Sequence, residues 1–223
     1  MNSNVVKRIE WIDIGKAMAI VFVIIAHTMP GNGIAKAISS FVIPFFFMVS
    51  AITFKFSTDK AIFCSKMKKT FIHLLTPAFV MIFISMILYI IMNYDTIDSQ
   101  YFKEQFLTIL YASGNKVIGK HRNINPIGVP WFFFALAFSR TLLDFIGLIF
   151  NKKILPFIVC LISIAGVIIS KYVWLPFSFD VVLALMPFLY IGNQLKKINF
   201  EKIEEGLPVA LMLIGMPISG SIG

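Results

Sequence analysis

Residues 71–93 read FIHLLTPAFVMIFISMILYIIMN, a run without a single aspartate, glutamate, lysine or arginine. A bilayer core about 30 Å thick is crossed by roughly 20 helical residues, because each adds about 1.5 Å. The run therefore has the length and the apolarity of a membrane span. A lone buried strand is excluded, since in hydrocarbon only helices and closed barrels satisfy their own backbone groups. Barrel strands would alternate polar and apolar residues, and these residues do not.

Similar blocks lie on both sides. They place further spans at about 11–29, 34–54, 129–150, 154–172 and 179–195, and a seventh starts at Leu207 and stops at Gly223. A Pro-Gly turn at Pro30 and Gly31 joins the first two spans. A basic loop with Lys55, Lys60, Lys66, Lys68 and Lys69 joins the second to the third. A long polar connection, 94–128, precedes the fourth, and its pattern predicts an interfacial helix near 100–111. The expected fold is all-α: a polytopic helical transmembrane bundle of about seven spans, one domain over residues 1–223. Composition agrees, with 58% hydrophobic and 14% charged residues and a mean hydropathy of +0.86, where soluble domains carry about 25% charged residues. The first block is too long for a signal peptide and lacks a small-residue cleavage site, so it is expected to be a retained span.

The formal charge of +9 comes from lysines and arginines in short caps between apolar blocks. Such placement records topology rather than nucleic-acid binding. No basic stripe interleaved with aromatics is present, and nucleic acid is not an expected partner. With the N-terminus in the cytoplasm, 14 of the 20 basic residues fall inside and 6 outside. A multi-pass protein of the plasma membrane with a cytoplasmic N-terminus is the expectation, with the lipid bilayer its first partner. Trp11, Trp131 and Trp174 fall near span ends, as an aromatic belt requires. Cys64 and Cys160 are too far apart in sequence to signal a metal site, and no metal is expected.

The first span carries the most informative polar residues. At 100° per residue Lys16 and His27 return to within about 20° of one face, and Asp13 lies about 40° from that stripe. Along the axis Lys16 and His27 are about 16 Å apart. A carboxylate, an ammonium and an imidazole thus share one face, expected to turn into the bundle, and ionisable groups at such places are usually functional. A plainer account also stands: an i,i+3 pair at a helix mouth with a snorkelling lysine, and an interfacial histidine. A transporter or assembly component for a lipid or polysaccharide unit would use the same groups for proton coupling. Against it stand the absence of an inverted repeat and of paired Gly- or Pro-broken spans.

Five segments, in order, resemble the acyltransferase-3 family of membrane O-acyltransferases, in particular its fucose 4-O-acetylase-like branch. RIEWIDIGKAMAIVFVIIAHT (8–28) is similar to that family's first span, with Asp13, Lys16 and His27 at its polar positions and Lys where Arg is common. VIPFFFMVSAITF (42–54) resembles its Pro-Phe-Phe-Phe-x-x-Ser-Gly segment, carrying over Pro44 and Ser50, with Ala51 in place of Gly. The lysines leading into HLLTP (73–77) resemble its Arg-Leu-Leu-x-Pro entry, with His73 in place of Arg. VPWFFFALAF (129–138), with Trp131, resembles a Trp-Phe-Leu motif, and MPFLYIGNQL (186–195) a later Phe-x-x-x-Gly segment.

The resemblance implies transfer of an acetyl or other acyl group from acyl-CoA, the donor substrate, to a hydroxyl of a sugar or cell-envelope glycan. It implies no bound cofactor. His27 would be the general base, Asp13 would hold Lys16, and Lys16, Lys66, Lys68 and Lys69 would meet the anionic donor. Ser50, His73 and Trp131 complete the implied substrate-binding set. Family members usually have about ten spans against about seven here, so the resemblance covers roughly the first two thirds and implies a C-terminally truncated chain. An inactive fragment is the corresponding alternative.

Overall fold

The computed structural model of the protein describes residues 10–29, 32–114, 117–118 and 123–196. Its helices are α1 (Glu10–Thr28), α2 (Gly33–Ile52), α3 (Lys60–Met92), α4 (Ser99–Tyr111), α5 (Pro130–Ile149), α6 (Leu155–Ser170), α7 (Phe179–Ala184) and α8 (Met186–Leu195). The only pairing of extended chain among the described residues is antiparallel, between β1 (Val117–Ile118) and β2 (Asn123–Ile124). The all-α expectation is therefore met, and α4 occupies the place expected of the interfacial helix. Two compact units result: residues up to Phe54 together with those from Phe188, and Lys55–Pro187.

Among the described residues three helices, α2, α3 and α5, are long and apolar enough to cross a membrane, or four spans if the broken α7–α8 stretch serves as one. α6 falls on the expected fifth span but is only 16 residues long. The expected sixth span is interrupted at Leu185, where α7 ends and Pro187 opens α8 with a residue that has no amide hydrogen to donate. The turn at Pro30 and Gly31 and the seventh span from Leu207 lie outside the described residues.

The basic loop between the second and third spans is largely not a loop. α3 begins at Lys60 and runs 33 residues, about 50 Å, so its first turns extend well beyond the length a hydrocarbon core needs. The cause is local. Asp59 adopts an extended conformation and its side chain accepts the Ile62 amide at 2.8 Å, capping the helix. Lysine is a good helix former, and no glycine or proline interrupts before Pro77.

In the first unit α1 packs on α2 through Ile12, Ala19, Val42, Phe45, Val49 and Ile52. Lipid gives packed apolar helices no hydrophobic reward, so close van der Waals approach has to hold them, and small residues permit it. Gly15 brings α1 onto the Phe45 ring, and Gly192 brings α8 onto the α2 backbone at Met48. Asn193 then donates to the Phe54 carbonyl at 2.7 Å.

In the second unit α3, α5 and the end of α4 share a core of Ala78, Ile82, Ala112 and Phe134. Edge-to-face rings join α3 and α5: Phe71 with Phe138 at 5.2 Å and Phe79 with Phe134 at 5.5 Å. Phe177 stacks on Phe134. Phe177 and Ser178 both have positive φ, and the Ser178 hydroxyl donates to the Ala112 carbonyl at 2.6 Å, holding that turn against the end of α4. On α6, Gly166 meets Leu183 of α7 and Ser163 donates to the Ala184 carbonyl at 3.0 Å.

A methyl group on Gly192 would fall on the Met48 carbonyl and 2.9 Å from its Cα. Gly192→Ala should therefore cost about 1–3 kcal/mol, the usual cost of overpacking. The expected reading is a lower thermal midpoint in detergent. Gly33→Ala, with open space around it, should leave the midpoint where it was.

Candidate functional site

The polar residues of α1 sit at the border of its packed face. Ile12 and Ala19 form the buried ridge against α2. At 100° per residue Lys16 lies about 40° from Ile12, His27 about 60° and Asp13 about 100°. Lys16 is accordingly half-buried, while Asp13 and His27 are exposed. The expectation that the stripe turns inward is corrected in this respect, because the inward position is taken by the Ile12 and Ala19 ridge. α1 is one continuous helix, so the spacing along it holds: the Asp13 and Lys16 end lies about 16 Å from His27 in the last turn. The two ends cannot act on one atom. They can serve the two ends of one long ligand.

Ser50 sits near the end of α2, half-buried, and its hydroxyl donates to the Phe47 carbonyl at 2.8 Å. Its hydrogen is thereby engaged within the helix, although the oxygen can still accept.

On α3 the lysines divide. Lys66, Lys69 and His73 follow i, i+3, i+7 spacing and form one stripe, whereas Lys68 points about 100° away from Lys69. Lys66 is half-buried and its ammonium donates to the Lys55 carbonyl at 2.8 Å. Lys68, Lys69 and His73 are exposed. The helix thus presents a cationic edge, with Lys66 also bracing the chain that leads into it.

Trp131 lies in the first turn of α5, after a turn at Gly128 whose φ is +77°. Its indole covers Gly114, where any side chain would meet Nε1. That packing is a structural duty, and the residue is half-buried. His121 and Arg122, in the same connection, lie outside the described residues. An open apolar groove of about 550 Å³ runs along α3, lined by Phe79, Val80, Phe83, Met86 and Ile109 among others. With so little polar lining it suits hydrocarbon and no group transfer. Among the described residues no cluster of His, Cys, Asp and Glu could hold a metal ion.

Sequence reasoning passed over one buried polar arrangement. Asp144 of α5 accepts both the backbone amide and the hydroxyl of Ser57, each at 2.6 Å. Both residues are buried. The signal was available in part, since a carboxylate inside an apolar run is functional by default; its partner, 87 positions away, was not.

Several apolar helices of spanning length, one of them with a lysine-rich end, define a polytopic membrane protein, and α1 bears ionisable groups at separate points along its length. The protein's sequence matches the acyltransferase domain family over residues 9–220, and the chain belongs to that family. It is a membrane acyltransferase by that membership. No curated protein and no solved structure matches it.

The cap that starts the lysine-bearing helix titrates. The Asp59 carboxyl is held below the usual carboxylate range, chiefly by the Ile62 amide that it accepts. A carboxyl depressed in the folded state stabilises fully above its ordinary value and loses that contribution as pH falls through the folded one. The first turn of α3 should therefore be intact at neutral pH and begin to fray only below about pH 4. Hydrogen exchange at the Ile62 and Phe63 amides is the measurement. Asp59→Asn should keep the cap and remove the pH dependence.

Proposed function

We propose that the protein transfers an acyl group, acetyl from acetyl-CoA in the simplest case, to a hydroxyl of a sugar or cell-envelope glycan, as the fucose 4-O-acetylase-like branch of its family does. The observation that supports this most is the layout of α1, with a cationic end at Lys16 and an imidazole at His27 about 16 Å further along one unbroken helix. Acyl-CoA has the matching layout. Its phosphates and its thioester lie at opposite ends of a long flexible arm.

In this reading the protein lies in the plasma membrane in about seven spans, with the N-terminus and the α3 lysines on the cytoplasmic side, as the bias of basic residues favours. Lys16, Lys66, Lys68 and Lys69 attract the donor phosphates as point charges. Asp13, one turn from Lys16, orients that ammonium. His73 and Ser50 are further contacts for the substrates, and Trp131 offers its indole to the acceptor glycan.

At the other end the acceptor hydroxyl oxygen attacks the thioester carbonyl carbon while the His27 imidazole takes the hydroxyl proton. The tetrahedral intermediate collapses with cleavage of the carbon–sulfur bond. The CoA thiolate leaves and recovers the proton from the imidazolium. The product is an ester on the glycan, and the imidazole ends the cycle as it began, ready for the next acceptor.

His27→Ala should lower transfer of labelled acetyl from acetyl-CoA to envelope glycan by about 10²–10⁴-fold, with membrane insertion and donor KM retained. Unchanged transfer in that variant would remove His27 from the mechanism. Wild-type membranes that insert the protein, consume no acetyl-CoA and yet move a lipid-linked or polysaccharide unit would favour a transporter instead.

A further inference from the structure

Residues 55–59 connect to α3 through an unusual number of fixed points. Ser57 is held by both oxygens of Asp144. The Phe56 ring lies on Gly147, one turn further along α5, where any side chain would occupy the space of the ring. The Lys55 carbonyl receives the Lys66 ammonium, and Asp59 caps α3. Three of these anchors come from charged side chains, and charge-assisted hydrogen bonds are the strong ones.

A turn alone does not require this. A buried carboxylate near the end of an apolar helix is costly, and a neutral asparagine or serine would close a turn more cheaply. What the arrangement adds is rigidity at the base of a cationic array. Lys66 and Lys69 share a stripe on α3, and the Lys66 bond to the Lys55 carbonyl joins the Lys55 backbone to that stripe. Lysine stems are flexible and lose freedom on meeting an anion, so a pinned backbone lowers the ordering cost of binding. Asp144 directs both carboxylate oxygens at Ser57 and is only 3% exposed, so it makes no direct contact with an arriving anion.

We propose that Asp144 is a positioning residue for the acyl donor, holding Ser57 so that Lys55, Lys66 and Lys69 meet the donor phosphates as a preset array. The inference rests on the reading of the protein as an acyl-CoA-dependent transferase. Asp144 touches no substrate and acts through the connection that it holds.

The test measures kcat and KM for acetyl-CoA, and KM for the glycan acceptor, in membranes containing the full chain. Ser57→Ala, which loses one charge-assisted hydrogen bond, should raise the donor KM about tenfold, and Asp144→Leu, which loses both, should raise it further, with kcat and acceptor KM unchanged in each. Ser57→Thr should keep the wild-type donor KM, because it still offers Asp144 an amide and a hydroxyl, and Asp144→Asn, with neutral bonds to the same two groups, should fall between wild type and Asp144→Leu. Should Asp144→Leu fail to insert, Ser57→Ala carries the test. A donor KM equal to wild type in Ser57→Ala, or a fall in kcat alone, overturns the proposal. Tryptic cleavage after Lys55 in inside-out vesicles gives a reading independent of activity and should be faster in both disruptive variants. Wild-type membranes that transfer nothing defeat the acyltransferase reading, and the donor role with it; the cleavage rates then still decide whether Asp144 pins the connection.

Discussion

In hydrocarbon no water is available to hydrogen-bond an exposed amide or carbonyl, and this constraint orders the whole chain. It makes every span a helix and sends irregular backbone to the ends. Where the backbone does depart from helix, side chains step in. Asn193 supplies the Phe54 carbonyl, Lys66 the Lys55 carbonyl and Ser178 the Ala112 carbonyl. Asp144 receives the Ser57 amide. Each of these four side chains thus answers a backbone group away from its own position, which explains why polar residues are tolerated there.

A second consequence is that helix association cannot rely on the hydrophobic effect. Glycines mark where helices approach most closely: Gly15 on Phe45, Gly166 on Leu183 and Gly192 on the Met48 backbone. Aromatic rings do the rest in the second unit, where Phe134, Phe138, Phe177 and Phe179 form a continuous set of stacked and tilted contacts. Packing there is geometric rather than merely apolar, and a neighbouring α3 face rich in Phe79, Phe83 and Ile87 remains open to lipid.

Much of this was legible beforehand, for reasons that differ by element. The helices α2, α4 and α5 lie within a few residues of their expected positions, since apolar length and turn residues delimit them. The start of α3 was not, although the cue was present: Asp59 is a capping residue ahead of a lysine-rich stretch with no helix breaker. Lysines were read as loop because of their charge, whereas their backbone preference is helical. For the candidate site, the spacing of Asp13, Lys16 and His27 was simple arithmetic. Its facing was not, because α1 is apolar nearly all round, with Ile14, Met18, Ile20, Val21 and Ile24 exposed, so periodicity does not tell which side packs. Ser57 with Asp144, and Gly192 with Met48, are pairings of tertiary structure, for which no local pattern exists.

The asymmetry of α3 has an electrical consequence. Lys60, Lys66, Lys68 and Lys69 crowd its first ten residues, and the remaining residues to Met92 carry no lysine, arginine, aspartate or glutamate. With that end on the negative side of an energised membrane, turning the helix over would drive four ammonium groups against the field, at about 9 kcal/mol per 100 mV. That is as large as the whole folding free energy of an ordinary domain. The cell's own ion gradient would then act as a latch on the topology of this protein, holding the basic end in place for as long as the membrane stays charged.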